Sequence, residues 1–180
     1  MGTKGTPMLD SLGHQFPPVD LHTLSGTATL GLAARPESVR RARDFTRSTL
    51  HGWRLPEQFD AVALVVSELV TNALRHGVAG RPTAYEPRTH GSAGGAAGRE
   101  PAGHPTVELE LMRCSGRLIC AVHDPSKSAP RVGEMDGVGE SGRGLHLVEC
   151  FSDGWGWRTL AGERHGKVVW AVFRTGGPGG

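Results

Sequence analysis

The clearest hydrophobic periodicity in the chain runs through residues 62–76. At 100° per residue, Val62, Val66, Leu69, Val70 and Ala73 fall on one apolar arc. This predicts a helix that starts near Leu55-Pro56-Glu57 and closes at Gly77, the place for a left-handed capping residue. Upstream, residues 28–34 alternate well enough for a first strand. Pro36 and Glu37 then suit the first turn of a helix over about 36–51. That helix buries Val39, Ala42 and Phe45, with Thr49 a further candidate, and exposes Arg40, Arg41, Arg43 and Arg47. The arginines are either a solvated face or a surface for a partner.

Downstream, Val107, Leu109 and Leu111 alternate with Glu108 and Glu110, and Ser115-Gly116 forms a tight turn. Residues 118–123 are apolar on both faces, as a central strand requires, and Pro125 ends the ladder after Asp124. Gly142-Arg143-Gly144 opens a short helix through Phe151, and residues 155–160 and 168–173 form a final hairpin. The resulting order, β-α-α-β-β-loop-α-β-β, predicts an α+β two-layer sandwich: a mixed, mainly antiparallel sheet with helices on one face. Four segments stand outside the pattern. Residues 1–24 are expected to be a disordered leader, 78–105 a flexible insertion within a domain spanning 25–175, 125–141 a polar loop, and 176–180 a disordered tail.

Composition narrows the class without naming it. A chain of 180 residues suits one domain, and its 27 glycines and 12 prolines, gathered in those segments, explain an apolar fraction of only 37%. A net charge of +2 with interspersed signs gives no footprint for nucleic acid or an anionic membrane. No run of about 18 apolar residues is present for a span, and the first 18 residues lack a signal core. Cys114, Cys120 and Cys150 form no CxxC, and each is expected to act as a small apolar residue. Together these features fit a cytoplasmic protein. The four tryptophans are read as core and sheet packing instead of a platform for stacked bases.

Three elements carry candidate chemistry. Glu68 and Asn72 are an i, i+4 pair at the margin of the buried arc, where half-desolvated polar groups need partners. Asp124 ends a strand, and Gly142-x-Gly144 begins a helix. Singly, these are ordinary boundary residues, a turn former and a tight helix start. Together they supply what a nucleotide site needs: backbone N–H groups for phosphate, an oxygen ligand for Mg²⁺, and carboxylates to accept an adenine amino hydrogen or a hydroxyl proton. The Walker pattern GxxxxGK[ST] and the GxSxG elbow are absent, and the nine histidines show no metal spacing.

The arrangement resembles the ATP-binding domain shared by DNA gyrase, the Hsp90 chaperones, histidine kinases and MutL, the Bergerat or GHKL fold. Within it the chain looks most like the anti-sigma-factor serine/threonine kinase branch, over about residues 25–174. Glu68-Leu69-Val70-Thr71-Asn72-Ala73 matches the N box, Asp124 the first glycine box, and Gly142-Arg143-Gly144-Leu145-His146-Leu147-Val148 the second. The resemblance implies that Glu68 is the general base, Asn72 ligates Mg²⁺, and Asp124 reads the adenine amino group. It also implies that Gly142 and Gly144 approach the phosphates, with Arg143 and Leu145 in the same nucleotide-binding set, and that residues 125–141 form a lid over ATP.

By the same resemblance, the chain binds a sigma factor and phosphorylates a serine of an antagonist protein, and a homodimer is compatible. Two departures stand out. Asp124-Pro125-Ser126 replaces the family's Asp-x-Gly, and Gly166-Lys167-Val168-Val169 lacks the threonine hydroxyl that many members carry near the adenine. They leave open an alternative: a non-catalytic, ATP-responsive binding module for a transcription-regulatory partner. A histidine-kinase reading has little support, because no long dimerising helix pair carrying a phosphoacceptor histidine precedes the domain.

Overall fold

The computed structural model describes residues 21–77, 107–130, 143–161 and 165–176. A short 3-10 turn, Leu21–Thr23, leads into β1 (Leu24–Leu32), which is followed by α1 (Glu37–Gly52) and α2 (Phe59–Asn72). After these come β2 (Val107–Cys114), β3 (Arg117–Asp124), α3 (Arg143–Phe151), β4 (Gly154–Leu160) and β5 (Gly166–Arg174). The strands form one sheet in the order β1-β2-β3-β5-β4, and every neighbouring pair is antiparallel. The expected element order and two-layer architecture are therefore present, with a wholly antiparallel sheet where a mixed one had been allowed.

Period-two alternation divides the sheet into two faces. Leu109, Leu111, Leu118, Cys120, Val122, Val169, Ala171 and Phe173 meet the helices in the main core. Met112, Ile119, Ala121, Val168 and Trp170 cluster on the other face. α2 lies at the centre of the helical layer, packed against α1, α3 and the sheet. Its buried set includes Val62, Val66, Leu69 and Val70, with Ala73 just beyond, as the periodicity predicts, and adds Ala63 and Val65 because neighbours cover it on two sides. At about 1.5–3 kcal/mol for each fully buried valine or leucine, this helix anchors the layer.

The sequence expectation needs adjustment at several places. β1 runs from Leu24, which pairs with Cys114, to Leu32, where the sequence predicts a strand over 28–34. The buried side of α1 is Ser38, Ala42, Thr46 and Leu50, whereas Val39, Phe45 and Thr49 are half-buried. Two of those buried residues are polar, and each hydroxyl is satisfied locally: Ser38 Oγ donates to Ala33 O at 2.6 Å and Thr46 Oγ1 to Ala42 O at 2.8 Å. The four arginines of α1 are exposed, and Arg40 and Arg47 lie near Asp44.

α2 does not stay α-helical up to Gly77. Beyond Asn72 it widens into a π-helical turn, Ala73–Gly77. Cys114 and Cys120 are buried, and burial pushes the Cys120 thiol up to about 12, but Cys150 is exposed on α3 beside His146. Trp170 is buried, and Trp53, Trp155 and Trp157 pack against the main core, in line with a packing role. No helix among the described residues is long and apolar enough to cross a membrane. The proposed insertion 78–105, most of the leader, the loop from 131 and most of the tail lie outside the described residues.

Candidate functional site

A cavity of about 370 Å³ opens between the C-terminal end of α2, the start of α3 and the ends of β3 and β5. Its size lies within the usual range for small-ligand pockets. Leu69, Ala73, Val122, Leu145 and Val169 supply apolar walls, while Asn72, His76, Asp124, Ser128 and Lys167 supply polar groups. Ala129 and Pro130, at the beginning of the proposed lid, complete the rim.

One end is built by two helices. Glu68 and Asn72 stand one turn apart on α2 and are both half-buried. They face the first turn of α3, where Gly144 is buried against them. A Cβ on Gly144 would stand 2.8 Å from Glu68 Oε2 and 3.5–3.6 Å from the amide atoms of Asn72. The absence of a side chain therefore lets a helix start approach a carboxylate and an amide. Asn72 and Leu145 line the cavity, and Glu68 borders it through Gly144. Gly142 and the Arg143 side chain lie outside the described residues.

The other end is built by two strands. Asp124 is the last residue of β3 and pairs directly with Lys167 on β5, on the sheet face that meets the helices. Lys167 Nζ lies 3.0 Å from both Asp124 oxygens, with the two side chains only 5% and 2% exposed. The Ser126 amide donates to Asp124 Oδ1 at 2.8 Å, an Asx-type turn that Pro125 helps to form. Burial raises the Asp124 carboxyl above its usual value, while Lys167 and the Ser126 amide oppose that rise. Gly166, the residue before Lys167, has φ +113°, and a Cβ there would overlap the Asp124 carbonyl oxygen. Glycine thus allows β5 to begin tightly against the Asp124-Pro125 backbone.

A family model for the histidine kinase-like ATPase domain matches residues 32–173. The chain belongs to that family. The match spans the helical layer, strands β2 to β5 and both ends of the cavity, and the five-stranded two-layer architecture agrees with the GHKL type of ATP-binding domain. No curated protein matches the chain.

The folded ATPase domain brings Glu68, Asn72, Gly144 and Leu145 together at one end and sets Asp124 at the other. Sequence reasoning missed two residues of the site. The sequence marks Lys167 only by the hydroxyl it lacks and gives Gly166 no role. The available signal was Gly-Lys immediately before the apolar run that begins at Val168; the antiparallel β3–β5 register places that lysine opposite Asp124.

Proposed function

We propose that this ATPase domain is an anti-sigma-factor-like protein serine/threonine kinase, transferring the γ-phosphoryl of ATP to a serine of an antagonist protein. The observation that most supports the reading is the approach of Gly144 to both Glu68 and Asn72, since a carboxylate, an amide oxygen and a helix N-terminus meet there. In this reading Glu68 accepts the proton of the substrate serine hydroxyl. Gly142 and Gly144 bring backbone N–H groups to the phosphates, and Leu145 and Val169 flank the nucleotide. Asp124 accepts from the base. Positioning and neutralisation of charge account for most of the acceleration.

The residues also suit Mg²⁺. Asn72 offers an oxygen ligand on the cavity wall, close to the Gly144 cradle. No group of three or more His, Cys, Asp or Glu among the described residues is placed to hold a metal unaided. That donor set fits a cation shared between one protein oxygen, phosphate oxygens and water. Mg²⁺ bound there would neutralise phosphate charge.

A second reading, an ATP-responsive binding module without transfer, draws support from the buried Asp124–Lys167 pair, which already engages both oxygens of the base-reading carboxylate. Incubation with γ-labelled ATP and candidate antagonist proteins separates the two. Label on a partner serine is the expected result for the kinase, whereas nucleotide-dependent binding of a partner without label selects the module. Acid-labile phosphate on histidine would reject both.

A further inference from the structure

The chemistry at the phosphate end has no need of the Lys167–Asp124 pair. A carboxylate alone in a dry pocket is an acceptor only. It welcomes a ligand amino group and repels a ligand carbonyl oxygen, and such one-sided sites discriminate strongly because the wrong ligand leaves buried groups unpaired. Here the carboxylate is not alone. Asp124 Oδ1 accepts from both Lys167 and the Ser126 amide, and Oδ2 accepts from Lys167, so of the carboxylate's roughly four acceptor sites one remains for an incoming donor.

Lys167 changes the other half of the recognition. An ammonium carries three donors. Among the described residues Nζ bonds to the two Asp124 oxygens, and the lysine itself lines the cavity. The pair therefore offers one remaining acceptor beside one remaining donor. A 6-aminopurine presents a matching edge, with its amino hydrogen beside ring N1. A 6-oxopurine presents the converse edge, with N1–H beside O6, so it satisfies the same two groups when the base is turned over, with its N1–H on the carboxylate and O6 on the ammonium. Neither edge leaves the buried charges unpaired.

We infer that Lys167 makes the base end of this cavity accept 6-oxopurine nucleotides, GTP and ITP, alongside ATP. The inference rests on the nucleotide-binding reading above and adds the class of base. Gly166 supports it structurally, since its contact with the Asp124 backbone holds the lysine in register with the carboxylate.

The test is calorimetric titration of the full chain with the Mg²⁺ complexes of ATP, GTP and ITP, repeated on Lys167→Thr. The expected result is that GTP and ITP bind the unmodified chain within about tenfold of ATP, and that the substitution weakens both relative to ATP by at least about tenfold. A larger preference for ATP in the unmodified chain overturns the inference, as does a smaller change of ratio in the variant. Should Lys167→Thr fail to fold, the titration of the unmodified chain decides alone. Binding of none of the three nucleotides overturns the nucleotide reading itself, an outcome distinct from tight but adenine-selective binding.

Discussion

Gly144 and Gly166 stand at opposite ends of the cavity, and the two positions exclude a side chain for different reasons. A Cβ at Gly144 meets the far end of a flexible side chain, the carboxylate of Glu68, in a helix where alanine is otherwise preferred. A Cβ at Gly166 meets backbone, at a φ of +113° that L-residues rarely adopt. The first glycine is demanded by the close approach of the start of α3 to Glu68 and Asn72 on α2. The second is demanded by the folding of the β3–β5 ladder. The helical end of the cavity thus rests on side chains that can be displaced, whereas the strand end is locked into the sheet by an ion pair and a close backbone contact.

The largest expected effect is on chemistry at the helical end. Glu68→Ala should retain nucleotide binding and reduce phosphoryl transfer by at least about a hundredfold, the scale of a lost general base. Single-turnover assay with labelled ATP checks this, and an unchanged rate removes Glu68 from that role. Next comes the comparison of the two glycines in denaturant unfolding. Gly166→Ala should destabilise the fold by at least about 2 kcal/mol, because neither the clash nor the dihedral can relax cheaply. Gly144→Ala should remain within about 1 kcal/mol of the parent in stability while impairing transfer, since helix propensity offsets the displaced carboxylate. Equal stability losses at the two sites would erase the distinction drawn here.

Asn72→Ala should abolish the Mg²⁺-dependent part of ATP affinity, a loss of about tenfold or more, worth about 1.4 kcal/mol, in calorimetry with and without the metal. Equal affinities for variant and parent would count against Asn72 as a ligand. The smallest effect lies away from the cavity, at the end of α1. Leu55 N–H bonds to Leu50 O and Arg54 N–H to His51 O, a Schellman closure whose left-handed residue is Arg54 at φ 59°. Arg54→Gly should therefore stabilise the chain by about 0.5–1 kcal/mol without altering nucleotide affinity, as thermal melts and the same calorimetry would report.

The contrast between the two ends also explains what was legible before folding. Glu68 and Asn72 are four residues apart on a strongly periodic helix, so their common direction is written locally. Asp124 was marked by the proline that follows it. Lys167 was not marked, because its partner lies 43 residues away and only the non-local pairing of β3 with β5 joins them. The apolar run beginning at Val168 also hid the first two residues of β5. The side of α1 was misjudged for a related reason. Ser38 and Thr46 are buried with their hydroxyls bonded to backbone, which hydrophobicity alone does not signal. β1 began earlier than expected because Gly26 is a poor strand marker, on a strand that is half-exposed along most of its length.

The most direct test of the whole account is hydrogen exchange with and without ATP and Mg²⁺. If a triphosphate rests where α2 meets the start of α3, protection should rise in residues 69–77 and 144–148, with little change along β1 and the adjoining edge of β2. Nucleotide-dependent protection elsewhere, with those two segments unaltered at saturating ligand, would contradict it.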